Sequence, residues 1–104
     1  VATPSDIEQG LALGCKVLKF FPAEALGGLA MLKAMAAPYG HTGVRFVPTG
    51  GISAANLGSY LAMPEVTAVG GTWLAKKEDF AQGRWPEIVA RCREAVQTVS
   101  KTRG

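Results

Sequence analysis

Short apolar runs, each closed by proline or a glycine pair, alternate along this chain with longer stretches of helical spacing. Cys15-Lys16-Val17-Leu18-Lys19-Phe20-Phe21-Pro22 is the first run, Val44-Arg45-Phe46-Val47-Pro48 the second and Val66-Thr67-Ala68-Val69 the third. Each is too brief for a stable helix and rich in β-branched or aromatic residues, so each reads as a strand. Thr3-Pro4-Ser5-Asp6 reads as a helix start, with Thr3 as N-cap, Pro4 at the first helical position and Asp6 three residues after the cap; that helix stops at Gly14. A second helix is predicted over Gly28 to Ala37, with Leu29, Leu32, Met35 and Ala36 on one face and Pro38 and Gly40 as breakers. Ser53 is expected to cap a third, reaching about Ala62. The last runs from about Pro86 to Ser100, with Ile88, Val89, Cys92, Val96 and Val99 on one side. The order α-β-α-β-α-β-α, with strands apolar on both faces, predicts a parallel sheet covered by helices.

A chain of 104 residues, 48% hydrophobic and 18% charged, supports a single modest domain with one core and excludes a disordered tail. Lysine and arginine exceed the acidic residues by 11 to 8, a net charge of +3. The positive charges are scattered. The densest group, Arg91, Arg93, Lys101 and Arg103, shares its segment with Glu87 and Glu94, which reads as a solvated helix face; no nucleic-acid partner is expected. Cys15 and Cys92 are far apart and lack metal-ligand spacing, so isolated thiols in a reducing compartment are expected, with no metal site. No apolar run approaches the ~18 residues that cross a bilayer. A soluble, cytoplasmic protein without membrane contact is the expectation. The start at Val1, without a methionine or a basic leader, points to a fragment or a processed chain.

Two features carry possible chemistry. Strand alternation places Val17, Lys19 and Phe21 on one face and Leu18 and Phe20 on the other. A lysine held among apolar neighbours in a buried strand pays desolvation and titrates low, which is what Schiff-base chemistry requires. The alternative is a lysine that snorkels to the strand end or pairs with a carboxylate. The second feature is the glycine pair after each of the last two strands: Gly50-Gly51, ahead of Ser53, and Gly70-Gly71, followed by the hydroxyl of Thr72. Bare N–H groups at successive strand ends suit a phosphate, although turn glycines alone would look the same. Glu24, near the end of the Lys19 strand, is either an acid/base or a solvated carboxylate. His41 reads as a surface-turn residue, and Trp73 and Trp85 as packing residues. Neither a Ser-His-Asp arrangement nor a dinucleotide fingerprint is present.

Taken in order, Lys19-Phe20-Phe21-Pro22-Ala23-Glu24, Val47-Pro48-Thr49-Gly50-Gly51-Ile52-Ser53 and Val69-Gly70-Gly71-Thr72-Trp73-Leu74 resemble the 2-keto-3-deoxy-6-phosphogluconate (KDPG) aldolase / 4-hydroxy-2-oxoglutarate aldolase family, class I aldolases of the Entner–Doudoroff pathway. Val1-Ala2-Thr3-Pro4-Ser5 resembles the segment after that family's fifth strand. The resemblance implies an α/β fold of the (β/α)8 TIM-barrel family, of which residues 1–104 carry the C-terminal half as one unit, helix 5 to helix 8, with parallel strands. It makes Lys19 the catalytic Schiff-base lysine, with Phe21 lining the pocket beside the imine. It assigns Thr49, Gly50, Gly51, Gly71 and Thr72 to the substrate phosphate. Many family members have serine where Thr72 stands, which keeps the hydroxyl.

The implied reaction cleaves KDPG to pyruvate and glyceraldehyde 3-phosphate without a cofactor. The implied partners are the phosphorylated sugar-acid substrate, pyruvate and further copies of the chain, a trimer by family resemblance. Thr49 before the glycine pair resembles the phosphogluconate enzymes more than their galactonate relatives, although 2-keto-3-deoxy-6-phosphogalactonate and 4-hydroxy-2-oxoglutarate remain alternative substrates. In this family the acid/base glutamate, and an arginine that holds the pyruvate carboxylate, come from early strands. Their absence here implies a chain inactive alone, since loss of general acid–base catalysis costs ~10²–10⁴-fold in rate. A non-catalytic phosphate-binding half-barrel, assembling with a copy of itself or with its missing half, is the competing expectation.

Overall fold

The computed structural model describes residues 1–103. Helix α1 (Pro4–Ala12) begins at the expected capping box. Thr3 Oγ1 accepts from the Asp6 N–H at 3.2 Å, and the Asp6 carboxylate accepts from the N–H groups of Thr3 and Ala2 at 3.1 and 2.8 Å. Strand β1 (Val17–Phe20) follows, then α2 (Gly28–Ala36), which continues into a 3₁₀ turn over Ala37–Thr42. Strand β2 (Arg45–Pro48) pairs with β1 in parallel, Leu18 opposite Phe46 and Phe20 opposite Pro48. Helix α3 (Leu57–Leu61) begins three residues later than the Ser53 cap predicts. Ser53 initiates turns instead, its carbonyl accepting from the Asn56 and Leu57 N–H groups.

The third expected strand is reduced to two parallel bridges, Phe46–Val66 and Thr49–Gly70. Among the described residues no strand lies on its far side, so only the ladder towards β2 forms. Helix α4 (Lys77–Ala81) was not expected, because five residues are too few to show a period. Helix α5 (Trp85–Arg103) matches the last predicted helix and extends it at both ends.

The core lies between the sheet and the helices. Leu18, Phe20 and Phe46 meet Ile7 of α1, Leu32 and Met35 of α2, and Leu57, Tyr60 and Leu61 of α3, all buried. The opposite face of the sheet is open: Val17 is 53% and Phe21 51% exposed, and Lys19 stands exposed between them. Val1 lies along the outer edge of β1, its carbonyl accepting from the Phe21 N–H and its amine donating to the Lys19 carbonyl. On α5, Val89, Val96 and Val99 are likewise exposed. Among the described residues no helix is long and apolar enough to cross a membrane.

The arginines of α5 are only partly the solvated face that their spacing suggests. Arg91 donates both terminal nitrogens to the buried Asp79 of α4, at 2.6 and 3.2 Å, and reaches the Leu74 carbonyl at 3.3 Å. Arg103 reaches back to the carbonyls of Leu61, at the end of α3, and of Met63 and Val66 beyond it. The Arg91 hydrogen bonds, helped by the Lys76 N–H, hold the Asp79 carboxyl down from 3.8 to about 2. Because the folded-state value is depressed, this stabilisation is complete above about pH 4 and is lost as pH falls towards 2. Asp79→Asn is expected to remove it at neutral pH. Urea unfolding of the variant at pH 7, 4 and 2.5 should then show a flatter pH dependence than the unsubstituted chain over that window.

Candidate active site

The ends of β1 and β2 and the bridged segment at Gly70 meet at the C-terminal edge of the sheet, where parallel α/β folds place their ligands. The Thr49 N–H donates to the Phe20 carbonyl at 2.9 Å, and the Gly70 N–H donates to the Pro48 carbonyl at 3.0 Å. Beyond β1 the chain passes a cis Phe21–Pro22 peptide. It then lies against the segment after β2, the Ala23 N–H donating to the Thr49 carbonyl at 2.8 Å and the Glu24 N–H to the Gly50 carbonyl at 3.0 Å. The segments 21–24, 49–51 and 70–72 are thus held side by side.

The loop after β2 has an unusual disposition of peptide groups. Three successive carbonyls, those of Thr49, Gly50 and Gly51, are each engaged: by the Ala23 N–H, by the Glu24 N–H and by Asn56 Nδ2 at 3.0 Å. In a trans peptide the N–H points opposite to the C=O. The N–H groups of Gly50, Gly51 and Ile52 therefore turn away from segment 22–24 and from Asn56. Among the described residues these three, and those of Gly71 and Thr72, have no protein acceptor. Consecutive N–H groups turned outward in this way form a nest for an anion.

Only glycine fits that path. Gly50 has φ 105° and Gly51 φ 74°. A Cβ on Gly50 would stand 3.0 Å from Pro22 Cα, and one on Gly51 2.7 Å from Glu24 Cβ. On the neighbouring segment the Thr49 side chain is turned to Gly70, and the Trp73 ring lies directly on Gly71.

Of the two readings its spacing left open, a shielded lysine and one that reaches solvent, the exposed Lys19 matches the second. The sheet is helix-covered only on the Leu18 and Phe20 side, so the Lys19 side opens to solvent. Its Nζ lies 5.0 Å from the centre of the Phe21 ring, a cation–π contact that joins the two residues expected to flank an imine. Glu24 is neither a free acid/base nor simply solvated: Tyr60 donates its hydroxyl to Oε2 at 2.5 Å and Asn56 donates Nδ2 to Oε1 at 3.3 Å. Burial of Tyr60, followed by the Glu24 contact, drives the phenol well above its ordinary value, so it remains a donor at any working pH. Thr72 and His41 are exposed, and Trp73 packs against the core. Trp85 stands 55% exposed against Phe80, with ring centres 5.7 Å apart.

Ile52, Asn56 and Tyr60 belong to this constellation and were not singled out by sequence. For Asn56 a signal existed: an asparagine three residues after Ser53 commonly folds back on the turn, and here its Oδ1 accepts from the Ser53 N–H at 2.8 Å. Among the described residues no group of His, Cys, Asp and Glu could hold a metal ion.

The family model for KDPG and KHG aldolase matches residues 1–91. The chain belongs to this family. It is 46% identical over 99 residues to the 2-dehydro-3-deoxy-phosphogluconate aldolase of Treponema pallidum, covering 95% of this chain and 46% of that protein. It therefore spans about half the length of the curated relatives it matches. The KDPG aldolase of Legionella pneumophila, solved with pyruvate captured as a covalent carbinolamine intermediate, superposes with TM-score 0.82 at 41% identity, covering 88% of this chain and 44% of that one. The Zymomonas mobilis KDPG aldolase with 3-phosphoglycerate gives TM-score 0.77 at 44% identity, covering 91% and 43%. These aldolase neighbours give the chain a TIM-barrel-type α/β fold.

Proposed function

We propose that the chain supplies the nucleophile and the phosphate-binding loops of a class I aldolase that cleaves 2-keto-3-deoxy-6-phosphogluconate. The observation that carries this reading is the juxtaposition of the Lys19 strand end with the outward N–H groups of Gly50 and Gly51 and the unengaged N–H groups of Gly71 and Thr72. The Lys19 amine adds to the C2 ketone and water leaves, forming a protonated imine beside Phe21. A general base takes the C4 hydroxyl proton and the C4 oxygen closes to an aldehyde as the C3–C4 bond breaks, its electron pair passing into the imine to form an enamine, and glyceraldehyde 3-phosphate departs. Protonation of the enamine at C3 and hydrolysis of the resulting imine release pyruvate and free Lys19. The N–H nest after β2, with Thr49, Gly71 and Thr72 beside it, holds the phosphate until glyceraldehyde 3-phosphate departs.

On this reading residues 1–104 form the C-terminal half of a (β/α)8 barrel. The open face carrying Lys19 and the exposed valines of α5 are then surfaces that the other half covers. That half brings the acid/base glutamate and the carboxylate-binding arginine, and the completed enzyme works in the cytoplasm as a homo-oligomer. The family name includes KHG, which supports a second reading, cleavage of 4-hydroxy-2-oxoglutarate at the same lysine.

The test is borohydride reduction of the chain with pyruvate, followed by peptide mass spectrometry. The expected result is a reduced pyruvate adduct on Lys19 and none on Lys16 or Lys33. An even spread over the three lysines overturns the assignment. Absence of any adduct, with phosphate binding retained, favours the non-catalytic scaffold.

A further inference from the structure

The carboxylate of Glu24 meets side chains from two places at once. Oε2 accepts from the hydroxyl of Tyr60, whose side chain is fixed in the core with the residue only 1% exposed. Oε1 accepts from Asn56 Nδ2, and the same Nδ2 donates to the Gly51 carbonyl. The Glu24 backbone N–H meanwhile holds the Gly50 carbonyl, and its Cβ and Cγ pack against Gly51. Every one of these contacts lies on the carbonyl side of the loop, opposite the N–H groups that face outward. A carboxylate placed there binds the loop without standing where an anion would sit.

We propose that Glu24 is a positioning residue: anchored by Tyr60, its carboxylate holds Asn56 and with it the Gly51 carbonyl, and so fixes the outward orientation of the Ile52 N–H in the nest that receives the substrate phosphate. This rests on the phosphate-binding role proposed above for the loop. The Gly50 carbonyl is bound by the Glu24 backbone and survives any substitution that keeps the chain path. The Gly51 carbonyl depends on Asn56, and Asn56 is oriented by Glu24 and by Ser53. Loss of the carboxylate leaves Asn56 oriented by the Ser53 N–H alone and loosens its hold on the Gly51–Ile52 peptide. A phosphate then has to order that peptide before it can bind, a cost that appears in affinity.

The experiment titrates the ¹⁵N-labelled 104-residue chain with inorganic phosphate and follows the amide signals of Gly50, Gly51, Ile52, Gly71 and Thr72. In the unsubstituted chain these signals are expected to move together with one Kd. Glu24→Ala is expected to raise that Kd roughly tenfold, the effect of losing one hydrogen bond to a charged group. Glu24→Gln keeps the length and an acceptor for Tyr60 but turns an NH2 group towards Asn56 Nδ2, so it is expected to recover only a small part of the affinity. Tyr60→Phe keeps the ring in the core and the Glu24–Asn56 contact and releases only the anchor, so it is expected to fall between the unsubstituted chain and Glu24→Ala. Pyruvate trapping at Lys19 should be unchanged in all three, a separation that a general loss of structure would not produce. If the unsubstituted chain binds phosphate and Glu24→Ala binds it equally well, the positioning role is overturned and the phosphate site stands. If the unsubstituted amides do not respond, the phosphate-binding role itself fails, and the role of Glu24 fails with it.

Discussion

Gly50→Ala is expected to leave the chain folded but nearly unable to bind a phosphate ester. At φ 105° an alanine is strained whatever the space around it, by about 1–3 kcal/mol. The space is also absent: the new Cβ would meet Pro22 Cα at 3.0 Å and the Ala23 nitrogen at 3.1 Å, both backbone atoms that cannot rotate aside. The loop relieves both by moving away from segment 22–24, which breaks the hydrogen bonds from Ala23 to the Thr49 carbonyl and from Glu24 to the Gly50 carbonyl. Those are the bonds that turn the Gly50 and Gly51 N–H groups outward. A misplacement near 1 Å at such a site costs about 10²-fold, and that is the expected loss in affinity for 3-phosphoglycerate by calorimetry. Gly40→Ala is the control, since a Cβ there meets nothing within 4 Å. It should change neither binding nor stability by more than about 0.5 kcal/mol. Equal binding by Gly50→Ala and the unsubstituted chain would remove this loop from the phosphate site.

The difference between these two glycines marks how far the sequence could be read. Position and spacing found the glycine pairs, the strands that precede them and the Thr3 capping box, because each is written in adjacent residues. What makes Gly50 irreplaceable is a neighbour 27 or 28 positions away in the chain, Pro22 and Ala23, and no local pattern records that meeting. The same holds for Glu24. Its sequence neighbours say only that it follows a strand, whereas its role depends on Tyr60, 36 residues later and contributed by α3. Lys19 shows the converse. Alternation put it correctly on the face opposite Leu18 and Phe20, but shielding depends on what covers that face, and among the described residues Val17 and Lys19 are left exposed there. The third strand fell short for a related reason: its apolar residues were legible, but a continuous ladder also needs a partner on its far edge.

Lys19 and Phe20 are adjacent in β1, and their substitution is expected to give opposite results. Phe20 is fully buried against the helices, and Phe20→Ala should lower stability by about 3–5 kcal/mol through lost transfer energy and the cavity left behind. That is a large part of the ~5–15 kcal/mol that holds an ordinary domain together, so the urea midpoint should fall steeply or the chain should fail to fold. Lys19→Met replaces one exposed stem by another of similar size. It gives up only the contact with Phe21, and should change stability by no more than about 0.5–1 kcal/mol. It should nevertheless abolish the pyruvate adduct, because a thioether cannot form an imine. A strand that accepts methionine at 19 for folding, yet needs lysine there for the adduct, would keep its two faces for separate purposes: Leu18 and Phe20 hold β1 to the helices, and the exposed face with Lys19 and Phe21 is left for the proposed chemistry. If Lys19→Met unfolded the chain as Phe20→Ala does, the lysine would be part of the structural core and its exposed position would have to be explained another way.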